Sequence, residues 1–311
     1  MSSARLNSAA LKVEARRMGF IACGVARAHD IPEEVKARYR QWIARGRQAG
    51  MSYLERHEEL RFNPSHLVPG VKTIVSLALS YHPSHLPTQP ALAWYAQGED
   101  YHNVMRRLLR QLMKAVGGSG RCFVDSAPVM ERYWAQQAGI GFVGRHCQLV
   151  IPRIGSAFFL GELFLTEEAD EYDEPLPEST GCGSCRKCLD ACPTKAITDE
   201  GMDASRCLSY LTIEHRGELP AEVHPLLSEC FYGCDRCLRA CPHLHAPEQP
   251  LRSEFRPSPE LLQMTTADWQ SLSEEHYEEL FAHSAVRRAR FEGLKRNIPP
   301  LSAGTPRDTD E

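Results

Sequence analysis

Between residues 1 and about 166, apolar positions recur at helical spacing in some stretches and run almost without interruption in others. The first pattern predicts helices over Ala4–Arg17, Glu33–Arg47, Asn103–Val116 and Pro128–Ala138. The second predicts strands over Ile21–Val25, Thr73–Tyr81, Arg121–Asp125, Gln148–Ile151 and Ala157–Thr166. Gly139 stands where a helix C-cap belongs, and Gly155-Ser156 where a turn would join two strands. The alternation predicts an α+β domain over 1–166, α/β-like in character, with helices covering a sheet. The acidic run Glu167–Thr180 carries two prolines and no apolar period, so 167–180 reads as a solvated connector. After a cysteine-rich module at 181–250, Ser258–Met264, Thr266–Phe281 and Ser284–Arg296 predict a helical region over 251–298. The polar end, 299–311, is expected to be disordered.

With 311 residues and 42% hydrophobic content the chain can build a sizeable core. Lys and Arg number 36 against 40 Asp and Glu, a formal net charge of −4, so no global basic field announces a nucleic acid; a polyanion would need a local patch. No apolar stretch reaches the about 18 residues of a membrane-spanning helix. Arg16-Arg17 faintly suggests an export signal, but Glu14 precedes the pair and no small-residue cleavage site follows, so a cytoplasmic location is expected. In that reducing setting twelve cysteines suggest metal rather than disulfides. Nine of the twelve lie between Cys182 and Cys241; Cys23, Cys122 and Cys147 sit among apolar neighbours and read as small core residues.

Cys182, Cys185, Cys188 and then Cys192-Pro193 match the bacterial ferredoxin run. That spacing lets the first three thiolates wrap one cube while the fourth is aimed at a second. A second copy, Cys234, Cys237 and Cys241-Pro242, has Phe231 where its first cysteine is expected, so a remote thiol must fill one corner. Crossed ligation assigns Cys182, Cys185, Cys188 and Cys241 to one 4Fe-4S cluster. Cys192, Cys234 and Cys237 go to the other, with either Cys207 or Cys230 as its fourth ligand. Paired knuckles can also hold structural zinc, but three cysteines in seven residues plus two Cys-Pro steps favour clusters. Such clusters carry single electrons, so the first domain must supply the acceptor. In it no G-x-G-x-x-G turn opens a helix and no phosphate-binding P-loop is present.

Several further motifs resemble the epoxyqueuosine reductase family: Val124 to Arg132, Gly139 to Gly144, Gly155-Ser156, Phe159 to Glu162, Arg206 to Thr212, Tyr232 to Asp235 and Ser284 to Ala289. The resemblance spans most of residues 50–298. It implies a cobalamin-dependent oxidoreductase that removes the epoxide oxygen of epoxyqueuosine in a tRNA anticodon loop. Electrons would come from an external low-potential donor through two 4Fe-4S clusters, and the chain would act as a monomer off the membrane. It further implies Cys207 as the eighth cluster ligand and Asp125 as proton donor. Arg61, Asp125, Leu149, Leu160, Ser209, Cys234 and Asp235 become corrin contacts, and His215 a tRNA contact. From the residues alone, Asp125 before Ser-Ala-Pro reads as a turn or capping residue, and Tyr101 and His102 as pocket or packing residues.

Two departures stand out. Gly144-Arg145-His146-Cys147 replaces the Gly-Lys-Asn-Thr usual in the family, and only 64 residues follow Pro247, where many relatives continue into helical repeats. The basic run Arg287, Arg288, Arg290, Lys295 and Arg296, opposed by Glu292, is therefore expected to contact tRNA from one helix. Two rival readings remain, a corrinoid reductive dehalogenase acting on a small substrate and an iron–sulfur electron-carrier subunit.

Overall fold

The computed structural model describes residues 5–83, 92–247 and 249–299. At its centre β1 (Ala22–Arg27), β2 (Thr73–Ser80), β6 (Phe158–Leu165) and β3 (Gly120–Phe123) lie side by side in that order, each pair antiparallel. Two short ladders complete the strands, β4 (Phe142–Val143) with β5 (Leu149–Val150) and β7 (Ile197–Thr198) with β8 (Gly201–Met202).

Helices α1 (Ser8–Arg17) and α5 (Tyr101–Ala115) cover one face of the sheet, where Leu11, Val104, Met105 and Leu109 pack on Val75, Leu77 and Leu163. On the other face α6 (Glu131–Gln137) sets Trp134 against Ile74 and Phe164, beside Phe62 from α3 (Glu58–Phe62). Helices α2 (Glu33–Ala44) and α4 (Pro64–Leu67) lie in the same β1 to β2 crossover as α3. Coverage on both faces buries β2 and β6 almost end to end, which explains their continuous apolar runs. Runs of that kind are usual in parallel sheets, so the α/β character in the sequence is the signature of two-sided burial rather than of strand direction. Gly24 is required by this packing: a Cβ there would stand 2.0 Å from the Ala138 carbonyl oxygen at the end of α6.

The expected elements form with shifted ends. Helix α1 starts at Ser8 because Asn7 caps it, and the expected start at Ala4 lies outside the described residues. The predicted helix Thr266–Phe281 divides into α11 (Thr266–Ser271) and α12 (Glu274–Leu280), each opened by its own side-chain cap, Thr265 and Ser273. Residues 300–311 of the expected tail also lie outside the described residues.

The acidic segment is not a solvated connector. Leu6 pairs with Ala169, Asp173 accepts the Val25 N–H at 2.8 Å and binds Lys12 at 2.5 Å, and Tyr172 packs on the core under Arg27. Glu167, Glu168, Asp170 and Asp173 engage backbone donors and two lysines, Lys12 and Lys72, which converts the first half of the run into a strap.

Short helices α7 (Lys187–Asp190) and α9 (Arg236–Arg239) each span the end of a Cys-x-x-Cys step. Between them α8 (Leu208–Ile213) joins α10 (Pro259–Gln263), α11, α12 and α13 (Arg290–Asn297) in a second core containing Tyr232, Trp269, Tyr277 and Leu294. The cysteine module and the C-terminal helices therefore share one interior. Asn297, fully buried, closes it by donating to the Thr212 carbonyl at 2.7 Å and the Phe231 carbonyl at 3.0 Å. Asn297→Leu keeps the volume but leaves two buried carbonyls unpaired, so it should lower stability by roughly 2–4 kcal/mol, read as a lower denaturation midpoint at unchanged slope.

Candidate active site and thiol centres

Asp125 follows β3 directly and adopts a left-handed backbone, φ +53°, uncommon for a residue with a Cβ. Three groups hold it there. Its N–H donates to Glu131 Oε1 at 2.5 Å, Tyr101 Oη donates to its Oδ2 at 2.5 Å, and His102 Nε2 stands 3.4 Å from the same oxygen. His102 is itself gripped by Asp100, the α5 N-cap, whose Oδ1 lies 2.7 Å from Nδ1 and also accepts the His102 N–H. The sequence reading of Asp125 as a turn residue holds for its backbone, and its side chain points at a tyrosine and a histidine.

The charges sort themselves by surroundings. Burial would push His102 down, but the Asp100 and Asp125 carboxylates outweigh it and raise it to about 9, so it is an imidazolium at neutral pH. Burial would push Asp125 up, yet His102, Tyr101 and the charge of Arg132 hold it below the usual carboxylate range. Its side chain keeps 61% of its surface open, so the burial contribution is the weaker side of that balance. Glu131 and Glu162 shift the other way, raised by burial and by neighbouring acids. Tyr101, whose ring stacks on Phe159 at 4.3 Å and on His102 at 4.1 Å, stays a phenol.

An aromatic wall runs from this cleft to the cysteine module. Tyr95 lies 6.2 Å from Tyr101 and 6.4 Å from Tyr81, and burial plus the nearby charge of Asp235 raises both Tyr81 and Tyr95. Asp235 accepts the Trp94 N–H at 2.7 Å, and its burial lifts it to about 6. Beside it Gly233, φ +77°, lies so close that a Cβ would stand 2.5 Å from that of Ala93.

The cysteines gather in two sets. Burial and then Cys182 and Cys241 raise Cys188, while Cys241 responds to Cys182 and Cys185. Cys237 responds to Cys234, Cys207 and Cys192, and Cys207 to Cys192. Cys230 touches this second set through Cys234 alone and turns its thiol to the Tyr232 and Gly233 carbonyls at 3.2 and 3.4 Å. Among the described residues no three or more His, Cys, Asp or Glu gather tightly enough for a single metal ion. Two sets of four thiols suit the larger perimeter of iron–sulfur cubes.

The remaining expected contacts are dispersed. Arg61 is buried over the Tyr39 ring with its Nε unpartnered. Leu149 is packed in the core, whereas Leu160 is the one incompletely buried position of β6. Ser209 and Cys234 are half-buried. In the departure at 144–147, Arg145 binds Asp199 at 3.1 Å, and burial, with Arg132 nearby, lowers His146 to about 4, so it is a neutral interior ring.

The basic run is not one helix face. A 3-10 turn, Ala285–Ala289, precedes α13, and the chain breaks direction at Arg290, φ +63°. Arg296 donates to the carbonyls of Leu211, His215 and Gly217, and Lys295 to those of Gln270 and Leu272, so both are fastenings of the fold. Arg288 pairs with Glu214 in a two-pronged contact and lies 5.6 Å above Tyr53, while Arg287 pairs with Glu278. Exposed Arg290 makes no ion pair among the described residues and lines a groove of about 600 Å³ with His215, Arg216 and Glu292.

Sequence reasoning left Glu131, Arg132 and Glu162 without a role. For Glu162 the signal is a lone acid inside the otherwise apolar run Phe158–Leu165.

Residues 181–243 match the model of a 4Fe-4S double cluster binding domain, and residues 61–126 that of Epoxyqueuosine reductase QueG, DUF1730. An epoxyqueuosine reductase of Cellulophaga algicola is 36% identical over 306 residues, covering 96% of this chain and 99% of that protein. An epoxyqueuosine reductase solved with a tRNA-Tyr epoxyqueuosine-modified stem loop superposes at TM-score 0.82 with 30% identity, over 93% of this chain and 79% of that one. The Bacillus subtilis enzyme, solved with its catalytic aspartate loop swung out of the active site, gives 0.80 with 31% identity over the same shares.

Each cluster should lose its iron with its own ligands. Cys207→Ala should cost about half the bound iron and Cys230→Ala almost none, and the reverse outcome on iron analysis would transfer the eighth corner to Cys230.

Proposed function

The chain belongs to the epoxyqueuosine reductase family, and on that premise we propose that it reduces epoxyqueuosine to queuosine at the wobble position of a tRNA anticodon, with electrons passing through two 4Fe-4S clusters to cobalamin and Asp125 as proton donor. The reading is supported above all by one juxtaposition: the Asp125 cleft and the second thiol set abut the same aromatic wall of Tyr81, Tyr95 and Tyr101. An electron-carrier subunit would have no use for the proton-holding cleft, and family membership displaces the dehalogenase reading.

Loss of the epoxide oxygen as water consumes two electrons and two protons. Bound cobalamin, with the two clusters, would supply the two-electron reducing chemistry. The donor sets fit both groups. Two sets of four thiols offer the ligands clusters require, and Leu160, half-open on an otherwise buried strand, presents an apolar surface for a corrin to cover. Arg61, Asp125, Leu149, Leu160, Ser209, Cys234 and Asp235 would hold the corrin, Leu149 from within the core.

Protons are the work of the chain itself. At neutral pH Asp125 is a carboxylate between a phenol and an imidazolium. A proton reaches it from His102, its ion-pair partner, and a carboxylic acid so strongly disposed to ionise passes it readily to the departing oxygen. Asp100 then steadies His102 until solvent recharges it. The enzyme would work in the cytosol as a monomer served by an external low-potential donor. The tRNA backbone would lie along the groove of His215 and Arg290, flanked by Arg287 and Arg288; Lys295 and Arg296 shape that groove from beneath.

In a strain lacking this chain, mass spectrometry of tRNA nucleosides should find epoxyqueuosine in place of queuosine. The wild-type gene should restore queuosine. Asn tolerates a left-handed backbone, so Asp125→Asn should fold and keep both cofactors while turning over about 10²-fold or more slowly. Near-normal turnover would return Asp125 to its turn role.

Phosphate contacts release counterions, so Arg287→Ala/Arg290→Ala should weaken tRNA binding across sequences and flatten its salt dependence by about one to two units of slope. Unchanged affinity and slope would move the tRNA to another surface.

A further inference from the structure

Beneath the Asp125 loop lies a buried acid to which the reaction as described assigns no part. Glu162 sits in the middle of β6, in register with Ser76 on one side and Phe123 on the other, and none of its surface is accessible. Neither carboxylate oxygen has a hydrogen-bond partner among the described residues, and the Ser76 hydroxyl beside it is also unpartnered. The charged groups that act on it are both acids, Glu131 first and then Asp125. An ionised carboxylate enclosed in this way, without a cation, would cost far more than a fold can absorb. Glu162 must carry a proton, and the acceptor facing it is Glu131.

Glu131 in turn is the first residue of α6 and takes the Asp125 N–H on Oε1 at 2.5 Å. We propose that Glu162 is a positioning residue for the reaction: its proton, shared with Glu131, lets Glu131 act as the anchor that pins the left-handed Asp125 loop in its working place. This rests on the reading of Asp125 as proton donor. A proton on Glu162 would let it donate to Glu131, the acid that acts on it most strongly, leaving Glu131 to accept from the Asp125 backbone, so that a chain of donors would run from the core of the sheet to the floor of the cleft. Without that proton Glu162, Glu131 and Asp125 would be three carboxylates in contact. Among the described residues Arg132 on α6 and His102 on α5 are the cations that act on the group, with Tyr101 and Asp100 also facing Asp125 from α5 and its N-cap. Repulsion would then loosen the anchor. A catalytic aspartate loop of the Bacillus subtilis relative has been observed swung out, so a loop of this type has somewhere to go.

The test uses the holoenzyme and two variants. Glu162→Gln keeps a donor toward Glu131 and cannot ionise; Glu162→Leu removes the donor and keeps the bulk. Both should retain iron and corrin. The Gln variant should keep kcat within about threefold of wild type at neutral pH, and the Leu variant should lose about 10- to 100-fold in kcat with KM within twofold, the mark of a loss confined to the step after binding. The ratio of Gln-variant to wild-type kcat should rise with pH as the wild-type pair ionises. Hydrogen exchange at the Asp125 amide should quicken in the Leu variant alone. The proposal is overturned if Glu162→Leu leaves kcat and Asp125 amide protection at wild-type levels, or if the Gln variant, with its cofactors in place, fails as badly as the Leu variant. Should even the wild type not reduce epoxyqueuosine tRNA, the functional reading falls, and the amide-exchange comparison still decides whether Glu162 pins the loop.

Discussion

The seam between residues 92–97 and 232–235 sets the geometry on which everything else depends. Leu92 bridges Tyr232, the Ala93 N–H donates to the Tyr232 carbonyl at 2.8 Å, and Asp235 accepts from Trp94. These are short backbone contacts, possible only because Gly233 has no Cβ to hold Ala93 away. They bring two cysteines, Cys234 and Cys237, against the segment that leads directly into the cap of α5. Since α5 opens with Asp100, Tyr101 and His102, the same seam fixes where the thiols lie relative to the cleft. On the proposed reading an electron route and a proton route meet at one substrate, and a rigid seam is a simpler way to ensure this than two independently folded domains.

The cleft keeps its charges apart by giving each group a different neighbour. Two carboxylates make an imidazolium of His102, that imidazolium makes a carboxylate of Asp125, and the acids behind them are pushed toward neutrality by burial first and then by neighbouring acids, Asp125 among them. No group in this set has its titration fixed by itself alone. Removing any one would alter the others, which is the physical sense in which Asp100, His102, Asp125, Glu131 and Glu162 form a unit.

Stretches with the same composition reach different ends. The acidic strap at 167–180 resembles a linker by every sequence criterion, yet Asp170 and Asp173 are taken up by Ser8, Val25 and Lys12. Likewise the basic run near the C-terminus looks uniform, and its members divide between ion pairs, carbonyl fastenings and Arg290, which has no ion pair among the described residues. Charge in a sequence gives the sign of a field. Only neighbours brought from more than seventy residues away, such as Glu214 for Arg288, decide how much of that charge is free.

What the chain's order alone determined was local or repetitive. The three-residue cysteine steps state their ligation because the ligands are close in sequence, the helices and strands are announced by periodicity, and the stretch around Asp125 carries a family's signature. Tertiary structure decided the rest. The antiparallel order of the sheet is invisible in strands buried on both faces. The electrostatic influence of Cys207 on Cys237, and of Cys192 on Cys207, arises because α8 starts beside them. Most of all, the state of each ionisable group in the cleft rests on contacts among Asp100, Asp125, Glu131 and Glu162, drawn from α5, β3, α6 and β6, because a proton's free energy is set by the charges and solvent around it and not by the residue that bears it.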